Sequence, residues 1–447
     1  MSSYSETLDW LFQQLPMYQR IGQAAYKADL SNTLALMEIL EQPQQSFKSV
    51  HVAGTNGKGS VTAFCRAILE VGGLTAHVHT SPHLVNWHER FRLGAEGGGK
   101  LADDDVLAEA IRRVAEANRG EQITVFEILT AVMFVLFSEH RADVAIVEVG
   151  LGGRFDATNV IEKPAVSVIM PISLDHQAYL GDRVELIAAE KAGIIKQGAP
   201  VVIGEQPEEA AREVLIATAE RLRCPYTVYG QDFMAFGENG RMTYQDEDSL
   251  LDLPAPRLTG RHQYANAGAA IRALKAAGFA LSEEAIAKGV ESVEWPGRLQ
   301  RLTSGHIHDL ATHDTEIWLD GGHNPGAGKV VAEAMANREE ADPRPLFVIA
   351  GMLNTKEPIG YFEPFAGIAR HVFTVPLHTS DAGLDPVALA SDAAEAGLSA
   401  EAADNVESAM RTIAQTWSEE DNPPRILIGG SLYLVGEVLK LNGTSPQ

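Results

Sequence analysis

The sequence predicts an α/β protein of two unequal domains, each built on a parallel sheet. Three observations predict it. Short β-branched runs alternate with helical patterns along most of the chain. A glycine-rich loop, VHVAGTNGKGS at residues 50–60, joins one such run to a helix. After Trp295-Pro296-Gly297 the strand–helix alternation starts afresh. That punctuation divides the chain into residues 1–294, a linker at 295–298, and residues 299–447.

Residues 1–45 read as helical, with a break at Arg20-Ile21-Gly22. In the loop that follows, Val50 and Val52 supply the strand and Gly54, Gly57 and Gly59 the turns; the helix is read from Val61 to about Gly72. Such a loop turns its backbone N–H groups toward a phosphate, and the helix dipole adds positive potential. Lys58 is placed to reach terminal phosphates and the Ser60 hydroxyl to sit on Mg²⁺. The common P-loop pattern asks for Ser or Thr directly after the Lys and for Gly where Val52 stands. Gly59 intervenes here. The phosphate reading therefore rests on the order strand, loop, helix; the bland alternative is a glycine turn with no ligand.

A second strand is expected at 74–80, ending in Ser81-Pro82-His83. Gly97-Gly98-Gly99 marks a loop, and Asp103-Asp104-Asp105 starts a helix running to about Asn118. Residues 124–127 open an apolar helix. A buried-type strand at 143–149 ends at Gly150-Leu151-Gly152-Gly153, another at 165–172 ends near Asp175-His176, and a short one lies within 198–204. Gly54, Ser81, Glu148 and His176 thus stand at or just past four strand ends, where parallel α/β sheets bind ligands. Residues 233–236 and 241–244 flank Gly237-Glu238-Asn239-Gly240 as a hairpin. Helices are read at 263–277 and 282–292. Beyond the linker, strands are expected at 316–320, 346–351, 371–375 and 425–428, with helices between them.

Composition narrows the classes. The net charge is −24, from 36 basic and 60 acidic residues, which argues against a nucleic-acid partner. Cys65 and Cys224 are too few for a disulfide framework or a cysteine zinc site and suit a reducing, cytoplasmic setting. The amino-terminal stretch lacks the basic start and apolar core of a signal peptide. The longest apolar run, 128–137, is broken by Thr130 and is far below the ~20 residues of a spanning helix. It reads as a buried helix, so no membrane partner is expected.

Several groups could do chemistry. Glu148 follows four apolar residues, and a carboxylate there is costly to bury unless paired or on a metal. Beside a P-loop, the metal reading is favoured. His176 and Ser81 are open between ligand and turn. Lys191 reads as a solvated helical lysine and Asn266 as a surface position on an alanine-rich helix. Arg298 and the cluster Asp320-Gly321-Gly322-His323-Asn324-Pro325 form either a ligand edge or a loop. The residues by themselves reach an Mg²⁺-dependent, nucleotide-binding, two-domain enzyme.

The motifs, in order, resemble those of the folylpolyglutamate synthase/dihydrofolate synthase family within the Mur ligase superfamily. They are AGTNGKGS from Ala53, TSPHL from Thr80, TVFE from Thr124, VEVGLGGRFDATN from Val147, SLDH from Ser173, EKAGI from Glu190, PGRLQ from Pro296, DGGHNP from Asp320 and GGSLYLVG from Gly429. The displaced Ser60 is what this family shows. The resemblance covers nearly the whole chain. It implies a P-loop parallel-sheet ATPase domain followed by a smaller Rossmann-like α/β domain. It also implies an ATP-dependent amide ligase that adds L-glutamate to 7,8-dihydropteroate and to reduced folates through an acyl phosphate.

By that resemblance, Gly54, Thr55, Asn56, Gly57, Lys58, Gly59 and Ser60 bind ATP phosphates, and Asn266, Arg298, Asp320 and His323 surround the nucleotide. Ser60, Ser81, Glu148 and His176 hold two Mg²⁺ ions. Lys58, His176 and a carbamylated Lys191 are the expected catalytic groups. Gly22, Ile123, Thr124, Val125, Phe126, Phe155, Asp156 and Ala157 are expected around the pterin. A monomer is expected. Three positions depart from the family's commoner pattern: Val125 stands for an aromatic residue, Gly321-Gly322-His323-Asn324 for AHN, and Gln177 for Thr. None removes a polar group needed for chemistry. A Mur-type ligase acting on a cell-wall nucleotide is the near alternative, and a nucleotide-driven switch the distant one. Stoichiometry separates them, because a ligase releases one ADP per amide and only when glutamate is present.

Overall fold

The computed structural model describes residues 4–14, 29–417 and 423–446. Three sheets organise them. The largest has eight strands in the order β4-β3-β2-β5-β1-β6-β7-β8: β1 Ser49–Ala53, β2 Ala76–His79, β3 Phe91–Leu93, β4 Lys100–Leu101, β5 Val144–Glu148, β6 Val166–Ile169, β7 Val201–Ile203 and β8 Tyr226–Val228. From β2 to β8 all pairings are parallel; β3 and β4 add an antiparallel edge.

Every residue of β1 and β5 is buried, as expected of parallel strands covered on both faces. Alternation along the strand sends side chains to opposite layers. Val144 and Ile146 join a cluster with the helices Lys58–Val71 and His262–Ala276. Ala145 and Val147 face the helix Val125–Glu139 on the other side. That helix is the expected apolar run, and Thr130 is accommodated by donating its hydroxyl to the Phe126 carbonyl at 2.8 Å. No helix among the described residues is long and apolar enough to cross a membrane.

The expected hairpin is present as β9 Phe233–Glu238 and β10 Arg241–Asp246, and β11 Leu250–Pro254 extends it to an antiparallel three-stranded sheet. The third sheet has the order β12-β13-β17-β14-β15-β16: β12 Gln300–Leu302, β13 Glu316–Asp320, β14 Leu346–Ala350, β15 Ala369–Thr374, β16 Ala400–Ala402 and β17 Arg425–Gly429. All its pairings are parallel except β12 with β13.

The structure corrects several expectations. The strands β3, β4, β8, β11, β12 and β16 are additions to those expected; apart from β11, each has only two or three residues, too short to carry an apolar pattern. The helix after the glycine loop starts at Lys58 rather than Val61. Of the amino-terminal helical stretch, Tyr4–Gln14 and Ser31–Ile39 are helices, while the break at Arg20-Ile21-Gly22 lies outside the described residues. Both cysteines are free and buried.

Candidate active site

Strands β2, β5, β1 and β6 are consecutive in the large sheet, and each leads into one of the four motifs picked out by sequence. Adjacency turns four separate strand ends into one edge. From β1, Ala53 leads to Gly54 at φ +151° and Gly57 at φ +82°, both in the region that favours glycine. A Cβ at Gly54 would stand 2.7 Å from the Met170 side chain. The Thr55 and Asn56 N–H groups bond the Pro171 carbonyl at 2.9 and 3.2 Å, tying the loop to the end of β6. The N–H groups of the first turn after Gly57 have no acceptor within their own helix, the arrangement that an anion site requires.

The failed pattern match at Gly59 has a physical cause. A Cβ there would stand 2.7 Å from the Trp295 ring, which lies against the first helical turn. No side chain fits, so the hydroxyl comes one residue later, at buried Ser60. Gly59→Ser, which would restore the common pattern, is expected to raise the KM for ATP about tenfold by overpacking. Steady-state kinetics checks this, and an unchanged KM would show that the Trp295 ring yields.

Lys58 folds back on its own loop, donating to the Gly54 and Thr55 carbonyls at 3.1 and 3.2 Å. Its Nζ stands 3.9 Å from the Glu148 carboxylate. Burial lowers the Lys58 ammonium, opposed by Glu148 and Asp175. Burial likewise raises the Glu148 carboxyl, opposed by Lys58, Arg298, the Ser81 backbone N–H and Arg90. Ser60 accepts from Gln263 at 3.4 Å, and Gln263 in turn accepts from Asn266 at 3.0 Å. Asn266 is 3 % exposed, so the surface reading is corrected: it points inward over Gly57.

Lys191 is also corrected. It is 5 % exposed and donates to the Gly54 carbonyl at 2.9 Å. Burial, with the neighbouring Lys58 charge, lowers its pKa to about 7, against the pull of Asp175 and Asp156.

The third sheet presents its own strand ends to the same place. Asp320 closes β13 and accepts from the Leu299 and Gly322 N–H groups at 2.9 and 2.7 Å. Burial raises its carboxyl, with Arg298 opposing. His323 Nδ1 donates to the Gly321 carbonyl at 2.9 Å, and its Nε2 stands 3.5 Å from Asp175. Lys356, from the loop after β14, reaches Asp175 at 2.7 Å. Burial pushes the Asp175 carboxyl up, but the His323 hydrogen bond and the His176 and Lys356 charges hold it well below the usual range. His176 itself, at φ +51°, precedes the short helix Gln177–Leu180 and is partly open to solvent.

Sequence reasoning misses Asp175, Lys356, Gln263, Trp295 and Arg90 as candidate site residues, and leaves Asn324 undecided within a cluster read as a ligand edge or a loop. Asp175 and Asn324 lie inside two of the motifs, each next to a histidine that draws the attention. For Gln263, spacing three before Asn266 on a helix is the only signal.

The residues expected around a pterin behave differently from one another. Ile123 and Val125 are core residues. Thr124 caps the helix, accepting from the Glu127 N–H at 3.2 Å and donating to its carboxylate at 2.9 Å. The Phe126 ring covers Gly150, where a Cβ would stand 2.3 Å away. Asp156 is buried and shapes the loop, accepting from the Leu151 N–H at 2.8 Å and from the Thr158 N–H and hydroxyl at 3.0 and 2.5 Å. Phe155 is half-buried and Ala157 buried beside it. Residues 124–126 and 155–157 thus flank the turn that follows Glu148. Gly22 lies outside the described residues.

Comparison with known proteins agrees with this geometry. A sequence model of the Mur ligase middle domain matches residues 52–274, and one of the dihydrofolate synthetase C-terminal domain matches residues 303–441. The folylpolyglutamate synthase of Lacticaseibacillus casei is 31% identical, over 98% of this chain and 98% of that protein. The dihydrofolate synthase/folylpolyglutamate synthase of Bacillus subtilis is 31% identical, over 98% and 99%. Among solved structures, E. coli FolC in complex with DHPP and ADP superposes with a TM-score of 0.84 at 27% identity, covering 98% of this chain and 97% of that one. The bifunctional enzyme of Yersinia pestis complexed with AMPPNP and Mn ion gives 0.83 at 27% identity, covering 98% of each chain. The chain belongs to the folylpolyglutamate synthase/dihydrofolate synthase family of Mur-type ligases.

Proposed function

We propose that this chain carries both activities of its family, joining L-glutamate to 7,8-dihydropteroate and to reduced folates. It is an ATP-dependent ligase that forms a C–N bond. One observation carries the reading: Lys58, Arg298, Lys356 and Arg90 gather around the buried carboxylates Glu148, Asp175 and Asp320, where the two parallel sheets meet. That surplus of cations suits a triphosphate and the carboxylates of the other two substrates.

The substrate carboxylate oxygen attacks the γ-phosphorus of ATP, and the bond to the β,γ-bridging oxygen breaks, releasing ADP. The glutamate amine then attacks the acyl carbon, loses a proton, and phosphate departs. The loop N–H groups and Lys58 bind and orient the transferring phosphoryl group, with Asn266, Arg298, Asp320 and His323 around the nucleotide. The contacts between the two sheets exclude water from the acyl phosphate. We place the division between them at 295–298.

The hydroxyls of Ser60 and Ser81, the Glu148 carboxylate and the His176 imidazole fit Mg²⁺. Glu148 is a buried carboxylate whose nearest charge is an ammonium 3.9 Å away, leaving oxygen lone pairs for a hard cation. No three His, Cys, Asp or Glu side chains among the described residues form a cage, in keeping with an ion that takes few protein ligands beside substrate phosphates. When bound, the ion neutralises phosphate charge. A carbamate on Lys191 would add a further anion. The pterin lies against Phe126 and the turns around Phe155–Ala157. The enzyme works as a cytoplasmic monomer on small molecules, without a nucleic-acid or membrane partner.

The test is ADP release with Mg²⁺, ATP and L-glutamate, comparing 7,8-dihydropteroate with tetrahydrofolate. Glutamate-dependent turnover of both, with products confirmed by mass, is expected. Turnover of tetrahydrofolate alone would reduce the enzyme to a polyglutamate synthase, and silence with both would overturn the reading.

A further inference from the structure

The loop after β6, residues 173–177, reaches across the junction to the carboxy-terminal sheet. Its centre is Asp175, whose side chain is 8% exposed. Apart from the His176 N–H at 2.8 Å, the hydrogen-bond donors that reach its carboxylate among the described residues come from across the junction. Lys356 donates to Oδ1 at 2.7 Å, and Asn324 donates to Oδ2 at 3.1 Å. His323 Nε2 stands 3.5 Å from Oδ2. Two further contacts flank this hub. Gln177 donates to Glu357 at 2.6 Å, beside Lys356. Asn324 and Asn56 exchange a reciprocal pair of amide hydrogen bonds, both at 3.1 Å.

The second contact matters most. Asn56 is a residue of the phosphate loop itself. Asn324 also caps the helix Pro325–Ala341, accepting from the Ala327 N–H at 2.9 Å. One side chain therefore ties together the phosphate loop, Asp175 and the first turn of a helix in the other half. At that turn Gly326 lies so close to the Ser173 hydroxyl and the Asn56 amide that a Cβ would stand 3.0 and 3.2 Å from them.

We propose that Asp175 and Lys356 form the latch that closes the carboxy-terminal sheet onto the nucleotide, with Asn324 reporting the position of the phosphate loop through Asn56. Both are positioning residues: they act by bringing Asp320, His323 and Arg298 to the phosphate loop. The pair is buried on both sides, 6% and 8% exposed, so removing one partner strands the other charge. An open arrangement returns both groups to water and loses the pairing, which makes closure all-or-none rather than gradual. The proposal rests on the ligase reading only in supposing that closure serves the reaction.

The test uses the full chain with Asp175→Asn, Lys356→Met and the double variant. AMPPNP with Mg²⁺ is the probe, and small-angle scattering reads closure. The wild type is expected to compact on saturation with AMPPNP, and each single variant to stay extended. In turnover, each single variant is expected to raise the KM for ATP and lower kcat about tenfold, with the double variant no worse than the worse single one. Lys356→Arg, which keeps the charge, is expected to recover compaction in part. Compaction of both single variants like wild type, or losses that simply multiply in the double variant, would overturn the latch. If Asp175→Asn does not fold, Lys356→Met decides alone. Scattering needs no folate, so a latch seen without any glutamate-dependent turnover would leave this proposal standing and remove the functional one.

Discussion

Lys58→Ala is expected to lower kcat by on the order of 10³-fold while the protein still folds. Charge develops on the transferring phosphoryl group, and a preorganised ammonium in a site screened from water stabilises it far more than in solution. Lys58 is preorganised by its bonds to the Gly54 and Thr55 carbonyls, and burial lowers its pKa while the Glu148 charge opposite opposes that lowering. Alanine removes the desolvation cost of a largely buried cation but leaves Glu148 without its nearest opposite charge, so a lower unfolding temperature with the fold retained is expected. Lys58→Arg is no substitute, because a planar fork cannot occupy the place of a compact ammonium between two carbonyls. Single-turnover ADP formation, with AMPPNP affinity measured in parallel, separates chemistry from binding. A kcat within a few-fold of wild type would remove Lys58 from the mechanism.

Lys191→Ala is expected to cost on the order of 10²-fold in kcat, and the wild type is expected to need dissolved CO₂ for full activity. Carbamate formation requires a neutral amine: its nitrogen bonds the carbon of CO₂ and one proton is released. An ordinary lysine is almost wholly protonated at neutral pH. Burial and the adjacent Lys58 bring Lys191 to about 7, so the reactive form rises through pH 7 and is suppressed below it. Carbamylation would also replace repulsion between Lys58 and Lys191 by attraction. CO₂-dependent activation is therefore expected to grow from about pH 6 to about pH 8. Labelling with ¹³C-bicarbonate and NMR detection checks it. A carbamate signal in wild type that persists in the alanine variant, or none in either, would refute the assignment.

Much of this protein is legible in its amino-acid sequence. Strand-to-helix alternation, the glycine loop, and polar residues just past apolar runs are local signals, because a buried parallel strand must be apolar and must end where the chain reaches the sheet edge. Glu148 and Ser81 stand out for that reason alone. The order of the motifs is enough for the family.

Other features depend on what comes together from afar. Lys191 and Asn266 look like ordinary helical surface residues, and only packing against Gly54 and Gly57 buries them. Gly59 looks like a defect in a motif until Trp295, more than two hundred residues later, takes the space a side chain would need. Asp175 is one acidic residue among many until Lys356 and Asn324 arrive from the other sheet. Local patterning thus specifies the strands, the loop and the family, because each depends on residues adjacent in the chain. Which charged and polar groups face one another across the junction is settled by packing, because burial and charge pairing are properties of neighbours in space.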